Sequence, residues 1–153
     1  MSAIDDVLEH NRHAVAGLEP AAIERDPARR LTIVTCMDAR IDLPRALGIA
    51  PGDAHVLRNA GGLVTGDVLR SLVLSQHLLG THEVMLIHHT NCGMEQLEAD
   101  LPPEFLRGAF GDVAEAAREA VAAVRGYEHL PHRDEVRGFV YDVETHRVEE
   151  VEI

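Results

Sequence analysis

The chain has 153 residues, with 26 acidic against 14 basic side chains and a formal net charge of −12. That length suits one domain around one hydrophobic core, and that charge excludes the broad basic surface that nucleic acid or an anionic membrane requires. Every basic residue is arginine, which excludes both Schiff-base chemistry on a lysine and a P-loop lysine.

The first residues, MSAIDDVLEHNRHAV, carry two aspartates and a glutamate and lack an apolar core of signal-peptide length. No later run approaches a membrane span, so the expected compartment is the cytoplasm, where two cysteines stay reduced. Ile4, Val7, Leu8 and Val15 recur at helical spacing and predict an amphipathic helix over residues 4–16 whose apolar face needs a partner. Residues 19–30, with Pro20 and Pro27 among six charged residues, read as a linker.

LTIVTC (31–36) is a continuous apolar and β-branched run of the kind buried on both faces of a sheet. A short helical segment, IDLPRALG, follows, and Pro51-Gly52 marks a turn before a second strand, AHVLRN. Beyond Gly61 and Gly62, Thr65 or Asp67 caps a helix that closes at Gly80. EVMLIHH is the third strand. Residues 93–100 read as a short helix, and 112–125 as a strong alanine-rich one. RGFVYDV and HRVEEVEI, on either side of Glu144-Thr145, form a closing hairpin with an acidic edge strand. Alternating strands and helices predict a single α/β domain: a mostly parallel central sheet flanked by helices, with an antiparallel C-terminal edge strand.

Two polar positions fall where apolar strands end: Cys36 after LTIVT, and His89-x-x-Cys92 after VMLIH. Two cysteines in a chain of this size are ordinarily buried, inert thiols. Their position favours ligands, because open α/β sheets bind at the carboxyl ends of strands. Zn2+ takes thiolate and imidazole, and three protein ligands with an open fourth position describe a catalytic centre. Strand alternation sends His88 and His89 to opposite faces, and the spacing to Cys92 selects His89.

C-M-D-A-R (36–40), R-N-A-G (58–61) and H-H-T-N-C-G-M (88–94) resemble the β-class carbonic anhydrases, in particular their short microbial branch. The resemblance implies that Cys36, His89 and Cys92 bind Zn2+, and that Asp38 and Arg40 are the paired residues beside the metal-bound water. It implies hydration of carbon dioxide to bicarbonate by a zinc-bound hydroxide, and a homodimer or multiple of dimers with the N-terminal helix packed on a neighbour. In part of that family the aspartate instead swings onto zinc and closes the site at lower pH.

The glycine-rich segment Asn59, Ala60, Gly61 and Gly62 borders the cleft in this reading, and His55 stands near the position where plant-type members place a pocket aromatic. Pro27 and Ala28 stand near their bicarbonate-binding glutamine, and without tryptophan the tryptophan-containing effector site of some bacterial members is excluded in its usual form. Two alternatives remain open. One is hydrolysis of carbonyl sulfide or carbon disulfide by the same ligands. The other is a non-catalytic zinc or thiol module that binds anions or senses redox state through Cys36 and Cys92.

Overall fold

The structure is a computed structural model and describes residues 2–18, 22–95, 97 and 100–153. Helix α1 spans Ala3–Val15, one residue from the predicted bounds, and starts at a capping box in which Ser2 and Asp5 satisfy each other's backbone N–H groups. None of its residues is buried, and Ile4 is 72% exposed and Val7 68%. Residues 22–30 of the predicted linker contain neither helix nor strand; Glu19, Pro20 and Ala21 lie outside the described residues.

Strand β1 (Leu31–Cys36) pairs in parallel with β2 (Ala54–Asn59) and with β3 (Glu83–His89), β3 pairs in parallel with β4 (Val136–Tyr141), and β4 pairs antiparallel with β5 (Val148–Glu150). The order β2-β1-β3-β4-β5 puts β1 and β3 side by side in the interior, so their carboxyl ends meet. The acidic edge strand β5 is three residues long and tied to β4 by the Arg137–Glu150 ion pair.

Each face of the sheet has its own core. On one, Val34, Val84 and Leu86 pack against Val68 and Leu72 of α3 (Gly66–Leu79) and Ala120, Val121 and Val124 of α4 (Val113–Arg125). Thr65 caps α3 and Gly80 ends it in the left-handed conformation, as predicted; Asp112 caps α4. Gly138 lets α4 approach β4 closely: a Cβ there would sit 2.9 Å from a Val121 methyl and 3.2 Å from the Ala117 carbonyl. On the other face Ile33, Ile87 and Tyr141 meet Ile41, Leu43 and Ile49 around the short helix α2 (Leu43–Leu47).

The helix predicted over 93–100 does not form at its start. Met94 donates its N–H to Cys92 Sγ and accepts from Phe110 N–H, and Glu95 makes a single bridge to Phe110, so backbone groups a helix would use are taken. Gln96, Glu98 and Ala99 lie outside the described residues. The glycine pair Gly61-Gly62 makes a 3₁₀ turn over Ala60–Gly62 with both glycines at positive φ, while the 3₁₀ turn at Pro103–Phe105 has no local sequence signal. Among the described residues no helix is long and apolar enough to cross a membrane.

Candidate metal centre

Strand geometry decides which histidine faces the centre. His88 shares parity with Val84 and Leu86 on the α3/α4 side, where its ring meets the edge of Phe110. Burial, then the neighbouring His89, push His88 down to about 4, so the ring stays neutral. His89 points the other way. Its ring nitrogen and the sulfurs of Cys36 and Cys92 all lie within 4.8 Å of one another, and all three residues are buried.

The donor set fits a soft or borderline cation on an internal observation. His89 Nδ1 lies 3.0 Å from the Thr90 carbonyl, which only accepts, so Nδ1 carries the proton and Nε2 presents a bare lone pair. Nε2 is fully buried with no hydrogen-bond partner, an expensive state unless something else takes the lone pair. Each sulfur receives one backbone N–H: Gly61 to Cys36 at 3.3 Å and Met94 to Cys92 at 3.5 Å. Burial raises the Cys92 thiol to about 11, and the adjacent Cys36 adds to the rise. Both cysteines are free, and a cation bound between them would take them as thiolates.

Asp38 lies beside this cluster without joining it. Arg40 donates Nε to Asp38 Oδ1 at 2.9 Å and Nη2 to Oδ2 at 2.6 Å, and its backbone N–H also reaches Oδ1 at 2.9 Å. This bidentate pairing holds the Asp38 carboxyl well below the usual carboxylate range. Asp38 Oδ2 stands 3.9 Å from His89 Nε2, so the carboxylate borders the unclaimed lone pair while remaining on its arginine.

A cavity of about 460 Å³ opens over the cluster, walled by Cys36, Asp38, Ala60, Gly61, Cys92 and Met94 among others. Of the glycine-rich segment, Ala60 and Gly61 therefore line it. Asn59 instead brackets the turn, accepting from Leu63 N–H and donating to Leu63 O at 2.8 Å each. Gly62 packs behind the centre, where a Cβ would come within 3.0 Å of Cys36 N.

His55 does not belong to this cavity. It sits toward the amino end of β2 with Nδ1 2.7 Å from Ser75 Oγ, because the strand that delivers Asn59 to the centre carries His55 away from it. Arg58, which sequence reasoning left out of the site, spreads its guanidinium over the carbonyls of Cys36 (2.9 Å), Asp38 (2.6 Å) and Ile41 (3.5 Å) and so holds the loop that carries Asp38. Its signal in the sequence is its place at the head of R-N-A-G, one of the three runs that carry the family resemblance.

A parallel α/β sheet that gathers two thiols and an imidazole at its carboxyl edge, with a carboxylate held aside, defines a metal-centred α/β protein. The family model described as carbonic anhydrase matches residues 31–151, and the chain belongs to that family, in its β class. It is 39% identical over 162 aligned residues to β-carbonic anhydrase 1 of Mycobacterium tuberculosis, with 99% of each chain covered. The crystal structure of the carbonic anhydrase from Streptococcus mutans superposes with a TM-score of 0.88 at 40% identity, covering 99% of each chain. A carbon disulfide hydrolase from an Acidianus strain is 34% identical across 78% of this chain and 76% of its own length.

Proposed function

We propose that the protein catalyses the reversible hydration of carbon dioxide to bicarbonate and a proton, with Zn2+ held by Cys36, His89 and Cys92. The observation that carries this is the buried, unpartnered Nε2 of His89 between two free thiols, beside a carboxylate that does not fill the fourth position. Bound there, Zn2+ would lower the pKa of a water toward about 7 and supply a nucleophile near neutral pH. Two thiolates donate more charge than imidazoles do, which places the activity optimum above neutrality.

The remaining roles belong to the chain. Ionised Asp38 is an acceptor only, so it takes the hydrogen bond of the attacking oxygen and aims the remaining lone pair into the cavity. Arg40 keeps Asp38 ionised and in place; it is an orienter and not an acid. Ala60 and Gly61 leave room for a small linear substrate over the cluster. Because Arg40 holds the Asp38 carboxyl far below neutrality, a rise in turnover between pH 7 and 8.5 does not report protonation of Asp38; it reports the nucleophile or the departure of the Asp38 carboxylate from the metal.

The exposed apolar face of α1 supports a homodimer in which that helix lies on the neighbouring subunit, and the free buried thiols support a reducing, cytoplasmic setting. The identity to a carbon disulfide hydrolase favours one second reading, hydrolysis of carbon disulfide by the same ligands. Stopped-flow carbon dioxide hydration at pH 7 and pH 8.5, on protein with measured zinc content, tests the assignment, with sulfide release from carbon disulfide as the parallel assay. Turnover that rises with pH supports carbonic anhydrase. One Zn2+ per chain with hydration no faster than buffer overturns it, and sulfide release then decides for the second reading.

A further inference from the structure

The segment Thr90–Asn91 receives both halves of the centre. The Thr90 carbonyl accepts His89 Nδ1–H at 3.0 Å, and the Asn91 carbonyl accepts Arg40 Nη2 at 2.9 Å. Asn91 adopts φ +53, a left-handed turn that exposes these carbonyls in succession. The metal-ligand imidazole and the guanidinium that orients Asp38 therefore hang on one short piece of backbone.

That backbone is fixed by the neighbouring strand β4 and the turn that follows it. Thr90 N–H donates to the Tyr141 carbonyl at 3.0 Å, and Thr90 Oγ1 accepts from Val143 N–H at 3.2 Å. Residues 142–147 form the tight turn between β4 and β5: Asp142 Oδ1 accepts from Glu144 N–H and Thr145 N–H, and Asp142 N–H donates to the Arg147 carbonyl. The turn is pinned by the fully buried Tyr141, whose hydroxyl lies 2.6 Å from His146 Nδ1.

We propose that Thr90 is a positioning residue that ties the His89 tautomer and the Arg40 orientation to the β4–β5 turn, so that this hairpin, which does not line the cavity, buttresses the metal centre. The inference rests on the carbonic anhydrase assignment only in taking Zn2+ as the ligand. Without Oγ1, Val143 N–H loses its acceptor, the 90–91 backbone loses one of its two ties to the hairpin, and the imidazole gains freedom to protonate at Nε2, the atom that must stay bare.

The full-length chain with Thr90→Val, Thr90→Ser and His146→Phe tests this. Competition against a chromophoric chelator measures Zn2+ affinity, and 15N shifts of the His89 ring in the metal-free protein measure its tautomer. Thr90→Val is expected to weaken Zn2+ binding about fivefold or more, the scale of one lost hydrogen bond, and to mix in the Nε2–H tautomer. Thr90→Ser, which keeps the hydroxyl, restores both, and His146→Phe shifts both less in the same direction. If Thr90→Val does not fold, His146→Phe carries the test. Unchanged affinity and an unmixed tautomer in the folded variant overturn the proposal. A wild-type protein that takes up no Zn2+ overturns the carbonic anhydrase assignment instead, and the tautomer comparison still decides this proposal.

Discussion

The two ends of the sheet treat buried polar groups in opposite ways. At the amino ends of the strands, Ser75 Oγ lies 2.8 Å from Thr32 Oγ1, 2.7 Å from Thr81 Oγ1 and 2.7 Å from His55 Nδ1, so each of these four groups has a partner. At the carboxyl ends, neither His89 Nε2 nor His88 Nδ1 has one, and two thiols stand beside His89 without a disulfide. Both regions hold a histidine among small polar side chains in the same sheet, yet one is a closed knot and the other keeps donor atoms unspent. In a well-packed fold such a deficit marks where something else binds.

Substitutions at the two ends should therefore part company. The largest expected effect is His89→Ala or Cys36→Ala, which removes a ligand: Zn2+ stoichiometry by atomic absorption drops toward zero, and hydration falls to the buffer rate. Next comes Asp38→Ala, expected to keep its Zn2+ and lose roughly 10²–10³-fold in turnover, the scale of losing one group placed for the transition state. Near-normal turnover in that variant would remove Asp38 from the chemistry.

The third prediction concerns stability and the histidine beside the ligand. At pH 7 His88 is neutral in both folded and unfolded chains. As pH falls below about 6.5 the unfolded chain takes up a proton that the buried ring refuses until about 4. Stability is thus expected to decline between those values by up to about 3 kcal/mol, and His88→Phe should flatten that part of a urea-midpoint profile of metal-free protein. Carboxylates held low by partners, such as Glu150 on Arg137, act in a more acidic window and leave a separate signature. The smallest effect is expected at the closed knot. Ser75→Val strands its partners and costs about 1–3 kcal/mol, while turnover per bound Zn2+ stays that of the wild type; a fall in turnover would break the contrast between the two ends.

What could be read from the chain divides along the same line. β1 and β3 announce themselves as apolar runs that stop at Cys36 and His89, and alternation alone separates His88 from His89. The caps of α3 and its glycine end are local chemistry, so they too are legible. The Ser75 knot is not, because it joins Thr32, His55 and Thr81 across long stretches of chain with no short-range signature. His55 was accordingly expected at a pocket it never reaches. The loop after Cys92 is not a helix because the Met94 N–H serves a sulfur and the Met94 carbonyl accepts from Phe110 N–H across the loop, bonds that its sequence does not announce. The carbonyl clamp of Arg58 is invisible for a similar reason: it recognises main chain, which every residue carries.

Cys36 and Cys92 lie on different segments, with β2, α3 and β3 threaded between them. A cation shared by both sulfurs is thus a crosslink as well as a reaction centre: it closes a loop of more than a third of the chain, and its loss returns that loop's configurational freedom to the unfolded ensemble. A chelator would then do two things at once, stopping turnover and loosening a staple in the middle of the sheet, and the metal content of a preparation would set its resistance to heat along with its rate.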